Sequence, residues 1–183
     1  MIIIKNSEQI KLMRIAGRIT AEALMVAKDE IRPGLTTKEL DTKIRRYIEK
    51  CGATPTFLGY NGFPGSACIS INDQVIHGIP SDRVILKEGD IVKVDVGARF
   101  RGYNGDSART FAVDKVSDEA LRLMSVTEQS FYEAMKVAKA GNRIGDIGAA
   151  VENFGSKSVI LPTCPYSVSK TKLGKPLHLL CGS

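Results

Sequence analysis

The sequence predicts an α+β fold: a mainly antiparallel sheet with helices gathered on one face. Three observations predict it. Two stretches near the start carry apolar residues at helical spacing. A middle block from Ala67 to Val113 carries strand-like runs separated by turn signals. Helical spacing then returns after Ser117. The order is helix, helix, strands, helix, helix, with no internal repeat at a short period.

Each element follows from local chemistry. Ser7 is placed to cap a first helix, since Leu12, Ile15, Ala16, Ile19, Ala23 and Val26 follow it at helical spacing. Pro33-Gly34 ends it. Thr36 and Glu39 form a capping-box pattern, and Leu40, Ile44, Tyr47 and Ile48 define a second amphipathic helix that stops at Cys51-Gly52. Phe57 to Gly65 is rich in glycine and aromatics and reads as a loop. Ala67 to Ile71 alternates like a strand, and Asn72-Asp73 is a turn. Val75 and Ile76 read as strand, with His77-Gly78-Ile79-Pro80 after them. After a turn at Lys87 to Asp90, Ile91 to Val96 is the strongest strand candidate, and Ser107 to Val113 is the next. Ser117 caps a helix reaching Ala140, and a short helix covers Ile144 to Phe154.

Composition bounds the function classes. At 183 residues, with 43% hydrophobic and 25% charged, the chain suits one domain with an appendage. No apolar run approaches a membrane span, and the start lacks a basic segment followed by a long apolar one, so a soluble, unexported protein is expected. Cys51, Cys68, Cys164 and Cys181 show no CxxC pairing and are expected as reduced thiols. The net charge is +6. Gly155 to Ser183 holds four lysines and no acid, which leaves +2 for the rest. The basic balance thus sits mostly in a tail, and no arginine-rich, aromatic-interleaved patch marks a nucleic-acid site. Residues 1–154 are expected as the folded domain and 155–183 as a divergent basic tail.

The candidate chemistry lies in the strands. Asp95 sits between Val94 and Val96, and Asp106 opens the next strand. A hairpin turning near Phe100 and Arg101 makes the two acids opposite or near-opposite, with Cβ atoms roughly 5 Å apart. A turn at Asn104-Gly105 breaks that register. Facing carboxylates repel unless a cation lies between them, and a divalent ion with hard oxygen ligands answers this best. The alternative is that each pairs with Arg99, Arg101 or Arg109, or faces water. His77 is either structural or a proton carrier or hydrogen-bond donor to a substrate.

Several strings together resemble type I methionine aminopeptidases. Phe57 to Asn72, including Tyr60-Asn61-Gly62-Phe63 and Cys68, is similar to the loop and strand that build that family's methionine pocket. Val75 to Pro80 matches its HGIP segment. Gly89 to Gly97 and Gly102 to Phe111 match its first two metal-ligand segments. The similarity runs from about Asn6 to about Asn153.

The resemblance implies the N-terminal half of a pita-bread (creatinase/aminopeptidase) fold. It implies two divalent ions, whether cobalt, manganese, iron, zinc or nickel. Residue by residue, Asp95 is a bidentate ligand of one ion and Asp106 bridges both. His77 contacts the substrate peptide, and Tyr60, Phe63 and Cys68 hold the methionine side chain. The implied activity is hydrolytic removal of N-terminal methionine in the cytoplasm. Nascent polypeptide N-termini are the implied partners, and the ribosome is a candidate partner.

The family completes its site with one further histidine and two glutamates. Here the later histidine, His178, lacks the glycine-flanked context, and no Glu follows Glu152, so an incomplete site is expected. The competing function is a non-catalytic binding protein on the same fold, contacting ribosomes or nucleic acid.

Overall fold

A computed structural model describes residues 3–158. The chain divides into two compact units, Met1–Met124 and Ser125–Ser183. The first unit begins with helix α1, Ser7–Glu30. Its N-cap is Asn6 rather than Ser7. The Asn6 Oδ1 accepts from the Gln9 N–H at 2.9 Å and the Gln9 Oε1 accepts from the Asn6 N–H at 2.9 Å. The shift has a chemical reason: a cap at Ser7 would place Ile10 at the third position, where no side chain could return a hydrogen bond. Helix α2, Thr37–Lys50, has the expected Thr36–Glu39 box, and Gly52 beyond it takes a left-handed φ of 70°.

Four strands follow: β1 (Thr54–Pro55), β2 (Ala67–Ile71), β3 (Ile91–Phe100) and β4 (Tyr103–Ala112). Among the described residues, all pairings are antiparallel and β3 is central. β1 and β2 share one edge of β3, with Thr54 opposite Arg99 and Cys68 opposite Asp95. β4 lies along the other edge, from Ile91 opposite Ala112 to Phe100 opposite Tyr103. The turn is therefore Arg101-Gly102, with φ of 46° and 88°. Two consecutive positive values make a turn of the primed kind, whose twist matches a hairpin. Val75 and Ile76 do not form a strand; they are exposed loop residues.

The even positions of β3, Val92, Val94, Val96 and Ala98, are fully buried. They pack with Ile19, Ala23, Leu24 and Ala27 of α1 and Leu40, Ile44 and Ile48 of α2, so both helices cover one face of the sheet. Small residues let α1 approach closely. A Cβ at Gly105 would lie 2.4 Å from the Ala16 carbonyl carbon, so only glycine fits there.

Helix α3, Asp118–Val137, starts where Ser117 Oγ accepts from the Ala120 N–H at 3.2 Å, as expected. The described part of the second unit holds the rest of α3, with Phe131 and Tyr132 edge-to-face at 5.6 Å, and helix α4, Ile144–Lys157. Helix α4 continues across the composition change at residue 155. The rest of the expected tail, with Cys164, Cys181 and His178, lies outside the described residues. Among the described residues, no helix is long and apolar enough to cross a membrane.

Candidate metal and peptide site

The site is built on the face of β3 turned away from the helices. Pleating sends Asp95, Gly97 and Arg99 to that face, because successive side chains alternate. Asp95 lies opposite Ala108, and Asp106 opposite Gly97. The two carboxylates are therefore diagonal neighbours on one face, a spacing of roughly 7 Å between Cα atoms, rather than a directly opposed pair. The offset arises because the turn falls one residue later than expected. The alternative turn at Asn104-Gly105 is not used, since Asn104 pairs with Arg99.

Gly97 is needed between them. A Cβ there would sit 2.1 Å from Thr56 Oγ1 and 2.8 Å from the Phe57 ring. The bare backbone thus lets the chain after β1 lie on the sheet, where the Thr56 N–H donates to the Gly97 carbonyl at 3.0 Å. That chain continues into the aromatic loop, closed by Phe63 N–H to Tyr60 O at 2.9 Å and Gly59 N–H to Phe63 O at 2.8 Å. The loop and the sheet enclose a cleft of about 1030 Å³. Asp95, Asp106, His77, Tyr60, Phe63 and Cys68 all line it. The structure thus brings together the six side chains singled out in the sequence.

The electrostatics of this face are those of a site short of positive charge. Asp95 Oδ1 is buried with no hydrogen-bond partner. Burial, and then the Asp106 charge, push the Asp95 carboxyl above the usual carboxylate range, with His77 opposing. Burial pushes the neighbouring Cys68 thiol up to about 11, helped by Asp95, Asp106 and Asp41. Arg101, one of the arginines expected as a possible partner, lies over the Phe100 ring, 5.4 Å from its centroid. Leaving a buried carboxylate oxygen unpaired is costly, and a divalent cation would satisfy it with the hard oxygen ligands such ions prefer. Asp95 and Asp106 fit that role as part of a ligand set. Among the described residues, no cluster of three His, Cys, Asp or Glu is placed to hold an ion.

Thr56, Phe57, Arg99 and Asn104 also line the cleft. Phe57 opens the loop singled out in the sequence, and Arg99 was weighed there as an ion-pair partner of the aspartates; sequence reasoning missed Thr56 and Asn104 as site residues. Thr56 carried no local signal, because it matters only through Gly97. Asp41 carried no expectation from the sequence, yet it is 3% exposed. Its Oδ1 accepts from the Ser66 and Ala67 N–H groups at 2.7 and 2.9 Å, anchoring the start of β2. Cys51 and Cys68 are free thiols, as expected.

Comparison with known proteins agrees with this architecture. The model of metallopeptidase family M24 matches residues 11–172, past the composition change at 155. The methionine aminopeptidase of Clostridium acetobutylicum is 48% identical over 154 residues, 84% of this chain and 62% of that protein. The one from Escherichia coli K12 is 40% identical over 171 residues, 91% of this chain and 65% of that protein. The crystal structure of methionine aminopeptidase from Rickettsia prowazekii superposes with a TM-score of 0.83 at 38% identity, covering 86% of this chain and 63% of that one. Aminopeptidase P from E. coli, at 24% identity and a TM-score of 0.74, shares the fold alone; it covers 85% of this chain and 34% of its own. The chain spans less than two thirds of the length of its methionine aminopeptidase relatives. Helices on one face of an antiparallel sheet, matched over most of the chain to these proteins, make it a member of metallopeptidase family M24 with a partial pita-bread fold.

Proposed function

We propose that the cleft is part of a methionine aminopeptidase centre that removes N-terminal methionine from nascent polypeptides in the cytoplasm. The observation that carries this reading is the buried, unpartnered Asp95 Oδ1, beside Asp106 on the floor of a cleft walled by Tyr60, Phe63 and Cys68. The names of the relatives support the same activity.

In this reading Asp95 and Asp106 would hold divalent ions as part of a larger ligand set. When bound, such ions supply a hydroxide nucleophile at neutral pH and polarise the scissile carbonyl. The remaining work belongs to the chain. Tyr60, Phe63 and Cys68 form an aromatic and sulfur-lined hollow suited to a flexible thioether. Cys68 stays a neutral thiol at physiological pH, because burial and the two aspartates hold its pKa at about 11. It therefore adds polarizable surface to the pocket without a competing negative charge. His77, at the cleft edge, donates a hydrogen bond to the substrate peptide and orients it over the carboxylates.

Among the described residues no third His, Cys, Asp or Glu joins the two aspartates, so metal binding is the primary readout. Calorimetric titration of the 183-residue chain with Mn²⁺ or Co²⁺ should show binding that Asp95→Asn and Asp106→Asn each abolish. Equal binding by the double variant would refute the reading. Hydrolysis of a Met-Ala-Ser peptide, measured in parallel, tests the activity itself. A salt-dependent ribosome pull-down that survives both substitutions, with no metal binding, would favour a non-catalytic partner role.

A further inference from the structure

We propose that Ser70 is a positioning residue for His77, acting through the Gly78 amide. The proposal rests on the peptide-contact reading of His77 for its functional consequence, and on hydrogen bonding for its geometry.

His77 has a φ of 59°, in the left-handed region. A residue bearing a side chain is held there only when its surroundings require it. The segment around it has few packing contacts of its own: Val75 is 77% exposed and Ile76 61%. What ties it down is Gly78. Its carbonyl accepts from the Ile69 N–H at 2.9 Å, and its own N–H donates to Ser70 Oγ at 3.0 Å. Gly78 lies so flat on β2 that a Cβ there would sit 2.0 Å from the Ile69 carbonyl oxygen. Ser70 is 2% exposed, and its strand position is two residues from Cys68 on the cleft face. A buried hydroxyl in a strand needs a partner, and the partner here is the amide next to His77. The backbone bond from Ile69 fixes the segment's distance from the sheet. The Ser70 bond fixes the orientation of the peptide unit joining His77 to Gly78, and so the direction in which the imidazole projects.

The test uses the full chain labelled at histidine. It has two histidines, so His178→Gln assigns the His77 signals. The three-bond HN–Hα coupling and the Cα shift of His77 report its φ. The left-handed signature is expected in the parent, lost in Ser70→Ala, and retained in Ser70→Thr, which keeps the hydroxyl. Circular dichroism and melting temperature confirm that each variant is folded. A purely structural role would lower the melting temperature and leave the His77 signature intact.

Retention of the signature in Ser70→Ala overturns the proposal, as does its loss in both Ser70→Ala and Ser70→Thr, which would assign the effect to packing. If Ser70→Ala fails to fold, Ser70→Cys, of similar size and a much weaker acceptor, takes its place with the same expected loss. Titration with Met-Ala-Ser peptide then reads the consequence. Peptide-induced shifts of the His77 imidazole should require about fivefold more peptide in Ser70→Ala, the effect of one net hydrogen bond. If the peptide leaves His77 unperturbed in the parent while the signature responds to Ser70→Ala, positioning stands and the peptide-contact reading falls.

Discussion

The two faces of the β3–β4 ribbon share one backbone and are built on opposite terms. Toward the helices, Val92, Val94, Val96 and Ala98 are fully buried, and Gly105 admits the backbone of α1. Away from the helices, Asp95, Arg99 and Asp106 line the cleft, Gly97 lies beneath Thr56 and Phe57, and one carboxylate oxygen is buried without a partner. One face is saturated with contacts, so changes there should lower stability. The other carries groups that the fold tolerates rather than needs, so changes there should alter binding first. The difference shows how an antiparallel strand can hold a destabilising site: every second residue packs the core that offsets it.

Two glycines one ladder rung apart, on opposite faces, give the sharpest contrast. Gly105→Ala would drive a Cβ into the main chain of α1 at 2.4 Å, and a helix backbone cannot step aside locally. We expect a loss of about 3 kcal/mol in urea unfolding, at the upper end of overpacking effects. A loss under half that would show the helix–sheet contact to be softer than the structure implies. Next in size, Val94→Ala empties part of the core and should destabilise by about 2 kcal/mol.

Gly97→Ala meets the Thr56 hydroxyl and the Phe57 ring, which are side chains able to turn away. About 1 kcal/mol of stability should go with it. The larger consequence should be weaker binding of Met-Ala-Ser, because the chain leading into the aromatic loop is displaced. Unchanged peptide affinity would detach that loop from the site.

Asp95→Asn should act in the opposite direction to its neighbour Val94→Ala. In the fold the Asp95 carboxyl has a raised pKa, so the folded state favours its protonated form. That stability is present at low pH and is lost as pH rises through the folded pKa. In EDTA at pH 7, Asp95→Asn should therefore melt higher than the parent, and the gap should close as the pH falls below the normal carboxylate range. A lower melting temperature at pH 7 would mean that the Asp95 charge is satisfied by protein groups. The smallest effect is kinetic. With its pKa at about 11 and little exposure, Cys68 should react with iodoacetamide more slowly than Cys51 at pH 8, and speed up only near pH 11, as followed by peptide mass mapping.

Much of the site was legible because its signals are local. An acid between two valines and a Gly-rich aromatic stretch stand out from ordinary strand and loop patterns. The hairpin turn was legible to within one residue, which shifts the strand pairing by two. Phe100-Arg101 and Arg101-Gly102 are both plausible turns by spacing, and the positive φ at Arg101 and Gly102 that selects between them is a backbone property. The cap of α1 was misplaced for a comparable reason: Asn6 and Ser7 are both good caps, and the return bond from Gln9 decides. Asp41 was illegible, because its partners Ser66 and Ala67 are 25 and 26 residues away.

By itself the sequence determined the class of fold, the placement of two acids on strand positions, and the kinship with methionine aminopeptidases, since periodicity and motif order are written along the chain. Only the tertiary structure decided that Asp95 and Asp106 meet diagonally, that Gly97 and Gly105 are required by opposite faces, and that Ser70 reaches the amide beside His77. Those facts depend on distances between segments far apart in sequence, and such distances are set by packing and strand register rather than by local preference.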